Sequence, residues 1–306
     1  MEIIRGLENI RESKNSVITL GTFDGLHVGH KKIIDKVVEV ADNKGLQSVL
    51  LTFEPHPRLV LNSSDKSIQL LSTIDEKVDI LRSFKLDVVV VINFSREFSN
   101  KSYKDFLKNI LIDRLNLKHL VLGYDHHFGK NREGNFNSLK KMEQEFNFSI
   151  DKVEPYYKDN ILVSSSLIRK HLLNGDVSGA SVYLQRPYKI DGTVVRGAGR
   201  GKNLSFPTAN IRILDQHKII PGNGVYAVDV VLKGSKYKGM MNIGYRPTFN
   251  DRVHTIEVHI FSLNENIYSE NLTVYFKKRL RGELKFSSRE ELIKQLEIDK
   301  KESLHL

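Results

Sequence analysis

Residues 21–30 bring together side chains that could do chemistry. The stretch reads GTFDGLHVGH and holds three glycines, Asp24, and the pair His27 and His30 in the spacing H-x-x-H. It follows the apolar run SVITL, which predicts a buried strand, and leads into an amphipathic pattern that predicts a helix. Backbone N–H groups at a helix start attract anions, and glycine lets the backbone approach a phosphate closely. Two imidazoles there could donate hydrogen bonds to the charge that develops on a phosphoryl group.

Three other interpretations of this stretch compete with a phosphate site. A zinc site needs a third ligand beside the histidine pair, and the sequence offers no obvious one. A P-loop is excluded because no G-K-[ST] follows the glycines. A purely structural glycine turn stays open, although Asp24, His27 and His30 at a strand-to-helix junction favour an anion site over it.

Similar candidates follow later strands, at the carboxyl ends where α/β sheets bind ligands. His56 lies between two prolines after the run QSVLLTF, and it could face the same crevice or be an exposed loop histidine. Asp125 and Phe128 follow the run HLVLG; an aromatic ring with a polar neighbour suits a flat heterocycle, whereas a lone phenylalanine is more often core. These residues therefore raise the hypothesis of a ligand crevice at the carboxyl ends of the predicted strands.

A serine run precedes a helical pattern further along the chain. Ser164, Ser165 and Ser166 are candidates for the N-cap of that helix, and capping alone could account for them. Arg169, one turn in, could bind a pyrophosphate leaving group through both guanidinium nitrogens, or it could be an ordinary solvated arginine.

A second dense stretch lies at residues 192–210, GTVVRGAGRGKNLSFPTAN. Its glycines alternate with cations, so the loop can surround phosphates with amides and positive charge, although an RNA-contacting loop has the same composition. Thr208 and Asn210 are oxygen donors two residues apart that could face one Mg²⁺ ion, or they could reflect ordinary turn chemistry. The glycines and cations of this loop are Gly197, Gly199 and Gly201, and Arg196, Arg200 and Lys202.

Glu257 interrupts the alternating pattern HTIEVHIF, which otherwise predicts a strand. Strands rarely favour glutamate, so its presence needs a reason. It could be an outward surface residue, or a general base that takes a hydroxyl proton during attack on the γ-phosphate of ATP.

The order of elements predicts two domains in this chain of 306 residues. Near-continuous apolar strands alternate with amphipathic helices over residues 1–185, which predicts a parallel sheet covered on both faces. Short strands separated by Gly, Pro and Asn turns follow over residues 186–306, and one helical pattern comes near the end. This second part is predicted to be an antiparallel barrel or sandwich with a C-terminal helix.

Composition limits the function classes. No cysteine is present, which excludes disulfides, thiolate metal sites and cysteine nucleophiles. The formal net charge is +10, and residues 187–306 hold 20 Lys+Arg against 13 Asp+Glu; nucleic acid and polyphosphorylated small substrates would explain this excess equally well. The first residues scatter charges where a signal peptide needs an apolar core, and no apolar run reaches membrane-spanning length. We therefore expect a cytoplasmic protein with no membrane partner.

Taken in order, these motifs resemble the bacterial bifunctional riboflavin kinase/FAD synthetase family. FDGLHVGH, FEPHP, GYDHHFGKNREG and SSSLIR are similar to its adenylyltransferase domain, which has the HxGH signature of nucleotidyltransferases. GRGKNLSFPTANI, GVYAV, MNIGYRPTF, IEVHIF and FKKRLRGELKF are similar to its riboflavin kinase domain. The two resemblances cover nearly the whole chain.

The resemblance implies a Rossmann-like nucleotidyltransferase domain followed by a Greek-key β-barrel with a C-terminal helix. It also implies that riboflavin and ATP give FMN, that FMN and ATP give FAD and pyrophosphate, and that Mg²⁺ assists. Catalysis would fall to His27, His30 and Glu257, with Mg²⁺ held by Thr208 and Asn210. The residues implied for ATP or phosphate are Gly21, Phe23, Asp24, Gly29, Ser164, Ser165, Ser166, Arg169, Gly197, Lys202, Thr208 and Asn210. Those implied for the flavin are His56, Asp125, Phe128 and Arg281.

Three positions depart from the family pattern. Ser166 and Ser205 stand where the family usually has Thr and Gly, and His127 replaces a common Arg, so a titratable group replaces a permanent cation. The expected partners are flavins and nucleotides, without nucleic acid, in a monomer or weak homo-oligomer. A nucleic-acid-binding module and an adenylyltransferase for another mononucleotide remain the alternatives.

Overall fold

The structure of the protein is a computed structural model, which describes residues 1–11, 14–62, 68–196, 206–247 and 252–306. The chain divides into two compact units, Met1–Ser164 and Ser165–Leu306. Within these described ranges, no helix combines the length and the apolar character that a membrane span requires.

Six parallel strands form one sheet in the described part of the first unit, in the order β1-β4-β3-β2-β5-β6. Strands β2 and β4 are buried almost throughout, because helices cover both faces of the sheet. The predicted parallel α/β architecture is confirmed. The strands are β1 (Glu2–Arg5), β2 (Ser16–Leu20), β3 (Gln47–Glu54), β4 (Val88–Asn93), β5 (Leu117–Gly123) and β6 (Ser149–Val153).

Alternate residues of β2 enter two separate hydrophobic cores. Ile18 and Leu20 pack on one face of the sheet, and Val17 packs on the other against Ile34 and other residues of helix α1. The helices of this unit are α1 (Val28–Lys44), α2 (Pro57–Leu61), α3 (Ile74–Leu81), α4 (Arg96–Ser99), α5 (Tyr103–Phe106), which continues as a π-helical stretch (Leu107–Ile112), α6 (Phe136–Lys140) and α7 (Glu143–Phe146).

The strand order changes direction between β2 and β5. From β2 the chain proceeds outward through β3 and β4 on one side, and β5 and β6 lie on the other side. Such a switch point opens a crevice at the carboxyl ends of the two central strands. Residues 21–30 after β2 and residues 124–128 after β5 border that crevice. A small hairpin, β7 (Tyr157–Lys158) and β8 (Ile161–Leu162), completes the unit.

The second unit is a closed antiparallel barrel in the order β10-β13-β12-β11-β14-β9, six strands in the residues that the structure describes. β10 pairs with β13 instead of its sequence neighbour β11, as in a Greek key. The barrel is therefore confirmed over the sandwich. The strands are β9 (Lys189–Val195), β10 (Ala209–Ile213), β11 (Gly224–Leu232), β12 (Ser235–Pro247), β13 (Arg252–Ile260) and β14 (Asn271–Arg281).

In the described residues, three helices accompany this barrel. α8 (Ser165–Leu173) packs against α9 (Val177–Leu184). α9 joins the barrel through a hydrogen bond from the Ser178 hydroxyl to the carbonyl of Lys277, 3.2 Å long. α10 (Arg289–His305) is the predicted C-terminal helix. Its Ile293 and Leu296 cover a small core of Phe206, Met240 and Phe261 on the outside of the barrel.

Candidate active sites

The turn after β2 uses an unusual backbone path. Phe23, Gly25 and Leu26 have positive φ angles of 46°, 82° and 41°. The N–H of Gly21 donates to the carbonyl of Leu51, 3.0 Å away, which keeps the start of the turn on strand β3. The chain therefore reverses within a few residues and enters α1 with a histidine, His27, at the N-cap.

The two histidines of the H-x-x-H pair lie against each other. The rings of His27 and His30 stack with centroids 3.7 Å apart and an interplanar angle of 20°. A Cβ atom on Gly29 would lie 3.1 Å from Cε1 of His27, so the close approach of this ring favours glycine there. The Phe23 ring meets His30 edge-on at 5.3 Å. Because α1 has 17 residues, the pair lies at the positive end of a substantial helix dipole.

Asp24 is buried and holds the turn in place. Its Oδ1 accepts hydrogen bonds from the backbone N–H groups of Leu71, at 2.9 Å, and Ser72, at 3.1 Å. The N–H of Gly25 in turn donates to the Ser72 hydroxyl at 3.1 Å. The carboxylate thus joins the turn to the segment before α3.

Lys77 is a buried charged residue near this turn that the sequence analysis did not consider. Only 3% of it is exposed, and its Nζ donates to the Thr52 hydroxyl at 3.3 Å. Burial lowers the pKa of Lys77, and the carboxylates of Asp24 and Glu54 act in the opposite direction. The available signal was its position on the apolar face of α3, where a lysine is unexpected.

The residues after β3 and β5 occupy different environments. His56 is 7% exposed and caps α2, since its Nδ1 accepts the Arg58 N–H at 3.2 Å; it is not an exposed loop histidine. Asp125 is exposed after the end of β5. Phe128 is half-buried, with its ring 5.3 Å from the core residue Phe106.

Two neighbouring histidines in the loop after β5 differ sharply. His127, at the position that departs from the family pattern, is exposed, with Nδ1 3.2 Å from the carbonyl of Arg132. The Nε2 of His126 is buried, and no described residue forms a hydrogen bond with it. Burial, assisted by the charges of His127 and Arg132, lowers the pKa of His126 to about 4.

The serine motif lies at the start of α8, and the boundary between the two units falls between Ser164 and Ser165. The helix begins at Ser165, so Ser164 immediately precedes it and Ser166 is its second residue. Arg169 follows one turn later and is half-buried, on a helix whose Ile168 and Leu172 are fully buried.

The barrel brings together Thr208, Asn210 and Glu257. Asn210 is the register partner of Glu257 across β10 and β13, and Asn242 is its partner on the other side, in β12. The Thr208 hydroxyl donates to Oε2 of Glu257 at 3.2 Å. Since Ile256 and Val258 are buried in the barrel, this polar row lies on its outer surface. The motif MNIG contains Asn242, which the sequence analysis did not select.

Arg281 is engaged by a buried carboxylate. Its Nη2 lies 2.9 Å from Oδ2 of Asp299 in α10, and its Nε donates to both oxygens at 3.0 and 3.2 Å. Gly197, Lys202 and Ser205 lie outside the described residues.

Two family models together match almost the whole chain. The model described as FAD synthetase matches residues 9–167, and the one described as riboflavin kinase matches residues 184–306. A bifunctional riboflavin kinase/FMN adenylyltransferase from Buchnera aphidicola is 38% identical over 98% of this chain and 96% of its own length. The chain belongs to the bifunctional riboflavin kinase/FMN adenylyltransferase family. Its Bacillus subtilis relative is 37% identical, over 96% and 93% of the two chains.

This family identity defines the activity. The enzyme phosphorylates riboflavin with ATP to FMN and then adenylylates FMN with ATP to FAD and pyrophosphate. The predicted function is confirmed, and neither a nucleic-acid-binding module nor a transferase for another mononucleotide is supported. A crystal structure from Streptococcus pneumoniae, solved under the name macrolide-efflux protein, has a TM-score of 0.90 at 29% identity and covers 100% of both chains. This solved protein therefore has the same fold over its whole length.

Proposed function

We propose that riboflavin phosphorylation takes place at the polar row on the outside of the barrel. The observation that carries this assignment is the Glu257 carboxylate, set in the middle of strand β13 and hydrogen-bonded to Thr208. Glu257 takes the proton from the attacking hydroxyl of riboflavin. The hydroxyl oxygen then bonds to the γ-phosphorus of ATP, and the bond from that phosphorus to the β–γ bridging oxygen breaks, so that FMN and ADP form.

The donor set of this row suits Mg²⁺. Thr208 and Asn210 offer neutral oxygens beside a carboxylate, and Mg²⁺ prefers oxygen ligands while relying on substrate phosphates for much of its coordination. We propose that Thr208 and Asn210 hold the ion, which neutralises phosphate charge when it is bound. Gly197 and Lys202 are proposed to bind the ATP phosphates, on the basis of the sequence motif.

For the second reaction we propose the crevice beside the stacked histidines. An oxygen of the FMN phosphate attacks the α-phosphorus of ATP, and pyrophosphate leaves. His27 and His30 donate hydrogen bonds to the oxygens of the phosphoryl group, where negative charge develops. The turn that presents them is formed by Gly21, Phe23, Asp24 and Gly29. We assign the flavin to the loops that follow β3 and β5, with His56, Asp125 and Phe128. For Ser164, Ser165, Ser166 and Arg169, phosphate binding rests on the sequence motif.

We further propose that residues 1–185 and 186–306 are the functional domains. The family models end at residue 167 and begin again at residue 184, which leaves α8 and α9 largely between them. The proposed location is the cytoplasm, since a chain without cysteine suits a reducing compartment. The proposed assembly state is a monomer or weak homo-oligomer.

One crossed experiment tests both sites. The purified protein receives either riboflavin or FMN, with ATP and Mg²⁺, and the flavins are separated by chromatography. Glu257→Gln should lower FMN formation by at least about a hundredfold and leave the conversion of supplied FMN to FAD intact. His30→Ala should lower FAD formation by about 10²–10³ and leave FMN formation intact.

Each variant has an internal control in its other activity. Glu265→Gln and His305→Ala, at exposed positions, are the matched controls and should retain both activities. Loss of both activities in a folded Glu257→Gln protein would refute the two-site assignment.

A further inference from the structure

His259 lies two residues after Glu257 on the same outward side of β13, yet it is buried. Only 7% of it is exposed, because the rings of Phe206 and Phe261 flank it, each with its centroid 5.4 Å away. Its Nδ1 lies 2.7 Å from the carbonyl oxygen of Pro207. A buried polar group on this strand therefore contacts the backbone of the residue that immediately precedes Thr208.

The partner of His259 fixes its tautomer. A carbonyl oxygen can only accept a hydrogen bond, so the proton must be on Nδ1 of the imidazole. Burial, together with the charge of Lys300 on α10, lowers the pKa of His259, and the Pro207 hydrogen bond acts in the opposite direction. The side chain is thus a neutral donor directed at one backbone acceptor.

Two adjacent residues of the segment before β10 are bound by two residues of β13. Pro207 accepts from His259, and Thr208 donates to Glu257. Glu257 and His259 are two residues apart on β13, so their side chains lie about 7 Å apart. Two successive residues of an extended chain, such as Pro207 and Thr208, span about the same distance. The His259 contact therefore fixes the backbone one residue before the Thr208 hydroxyl that reaches Glu257.

We propose that His259 is a positioning residue of the riboflavin kinase site, which holds the backbone at Pro207 so that Thr208 and Asn210 face Glu257. This inference rests on the proposed kinase roles of Thr208, Asn210 and Glu257. In this inference, His259 does not contact the substrate. It orients Thr208 and Asn210, which are proposed to do so.

Two substitutions distinguish positioning from packing. His259→Phe keeps an aromatic ring between Phe206 and Phe261 and removes the donor. His259→Asn removes most of the ring, but its amide nitrogen occupies nearly the place of Nδ1 and can donate to Pro207. If His259 serves the packing of this small core, the Phe variant is the more active; if it positions Pro207, the Asn variant is the more active.

The measurement is the kcat and KM of riboflavin phosphorylation. FMN adenylylation in the same preparation controls for the first unit, and urea unfolding followed by circular dichroism controls for folding of the barrel. We expect His259→Phe to lower the kinase kcat at least tenfold, with adenylylation within twofold of the parent, and His259→Asn to recover most of the loss. If urea unfolding shows that the Phe variant is destabilised, His259→Leu, which also has no donor, takes its place with the same expected order.

Two results would overturn the proposal. A Phe or Leu variant that phosphorylates riboflavin as fast as the parent, or faster than the Asn variant, refutes the positioning role of His259. In that case, loss of phosphorylation in Glu257→Gln still supports the proposed kinase site. A Glu257→Gln protein that retains riboflavin phosphorylation removes the proposed site itself, and the inference falls with it.

Discussion

The hydroxyl of Thr208 donates a 3.2 Å hydrogen bond to Oε2 of Glu257, a residue 49 positions later in the chain. The contact exists because β10 and β13 are neighbours in the barrel, with Asn210 and Glu257 in register. It orients the carboxylate and occupies one of its acceptor positions. The geometry of the proposed base is thus set by a strand pairing between distant parts of the sequence.

Removing this hydroxyl should impair one activity only. Thr208→Val preserves the branched shape and removes the donor, so we expect riboflavin phosphorylation to fall at least tenfold, about 1.4 kcal/mol in activation free energy. Thr208→Ser keeps the hydroxyl and should stay within about threefold of the parent, a difference of less than 1 kcal/mol. Separate assays with riboflavin and with FMN provide the measurement. A Val variant with parental kinase activity would contradict the role of Thr208.

Asp24 should prove important for the stability of the first unit. Asp24→Ala leaves the N–H groups of Leu71 and Ser72 without their acceptor in a buried position, which we expect to lower the free energy of unfolding by about 2–4 kcal/mol. Asp24→Asn keeps one oxygen acceptor and should have a smaller effect. Urea unfolding followed by far-ultraviolet circular dichroism measures both. Equal urea midpoints for the Ala variant and the parent would show that these hydrogen bonds do not contribute to the stability of the fold.

The Arg281–Asp299 pair allows a structural role to be separated from flavin binding. Asp299 is 3% exposed at its side chain, so Arg281→Met leaves a buried carboxylate uncompensated and should destabilise the barrel by about 3–5 kcal/mol. The double variant Arg281→Met/Asp299→Leu should recover much of that loss. Urea unfolding measures the stability of each variant.

The KM for riboflavin in the double variant then tests the flavin role. If Arg281 also contacts the flavin, the KM remains raised although stability returns. A KM equal to that of the parent would assign Arg281 to the ion pair alone.

His126 should make the first unit less stable in acid. Its pKa is lowered to about 4 in the folded protein, whereas an unfolded histidine titrates near 6.5. Between about pH 6.5 and pH 4 the unfolded chain binds a proton that the folded chain does not, so stability falls as the pH falls through this window. Above pH 6.5 the group contributes no pH dependence.

Urea midpoints at pH 7.5 and pH 5 test this linkage. His126→Phe fills a similar volume without a titratable group and should show a smaller decrease between the two pH values. If the decrease is the same in the variant and the parent, burial of His126 does not account for acid sensitivity.

The central part of the fold could be predicted from local patterns, whereas the edges could not. The apolar runs SVITL, QSVLLTF and HLVLG predict β2, β3 and β5, because helices cover these strands on both faces. Strands β1 and β6 lie at the two edges of the sheet, are only partly buried, and lack such runs. The sequence analysis did not identify them, since an edge strand is defined by its neighbour and not by its own hydrophobicity.

The sequence by itself determined which residue types stand at the ends of strands and in turns: the glycines and histidines of residues 21–30, Thr208 and Asn210 after a proline, and Glu257 in an alternating strand. Periodicity and turn chemistry are local, so a single sequence displays them. Only the tertiary structure decided the partners. Asp24 meets residues 47 and 48 positions away, and His259 meets a carbonyl 52 positions away. Such pairings depend on strand order and register, which arise when the whole core packs, and no local pattern specifies them.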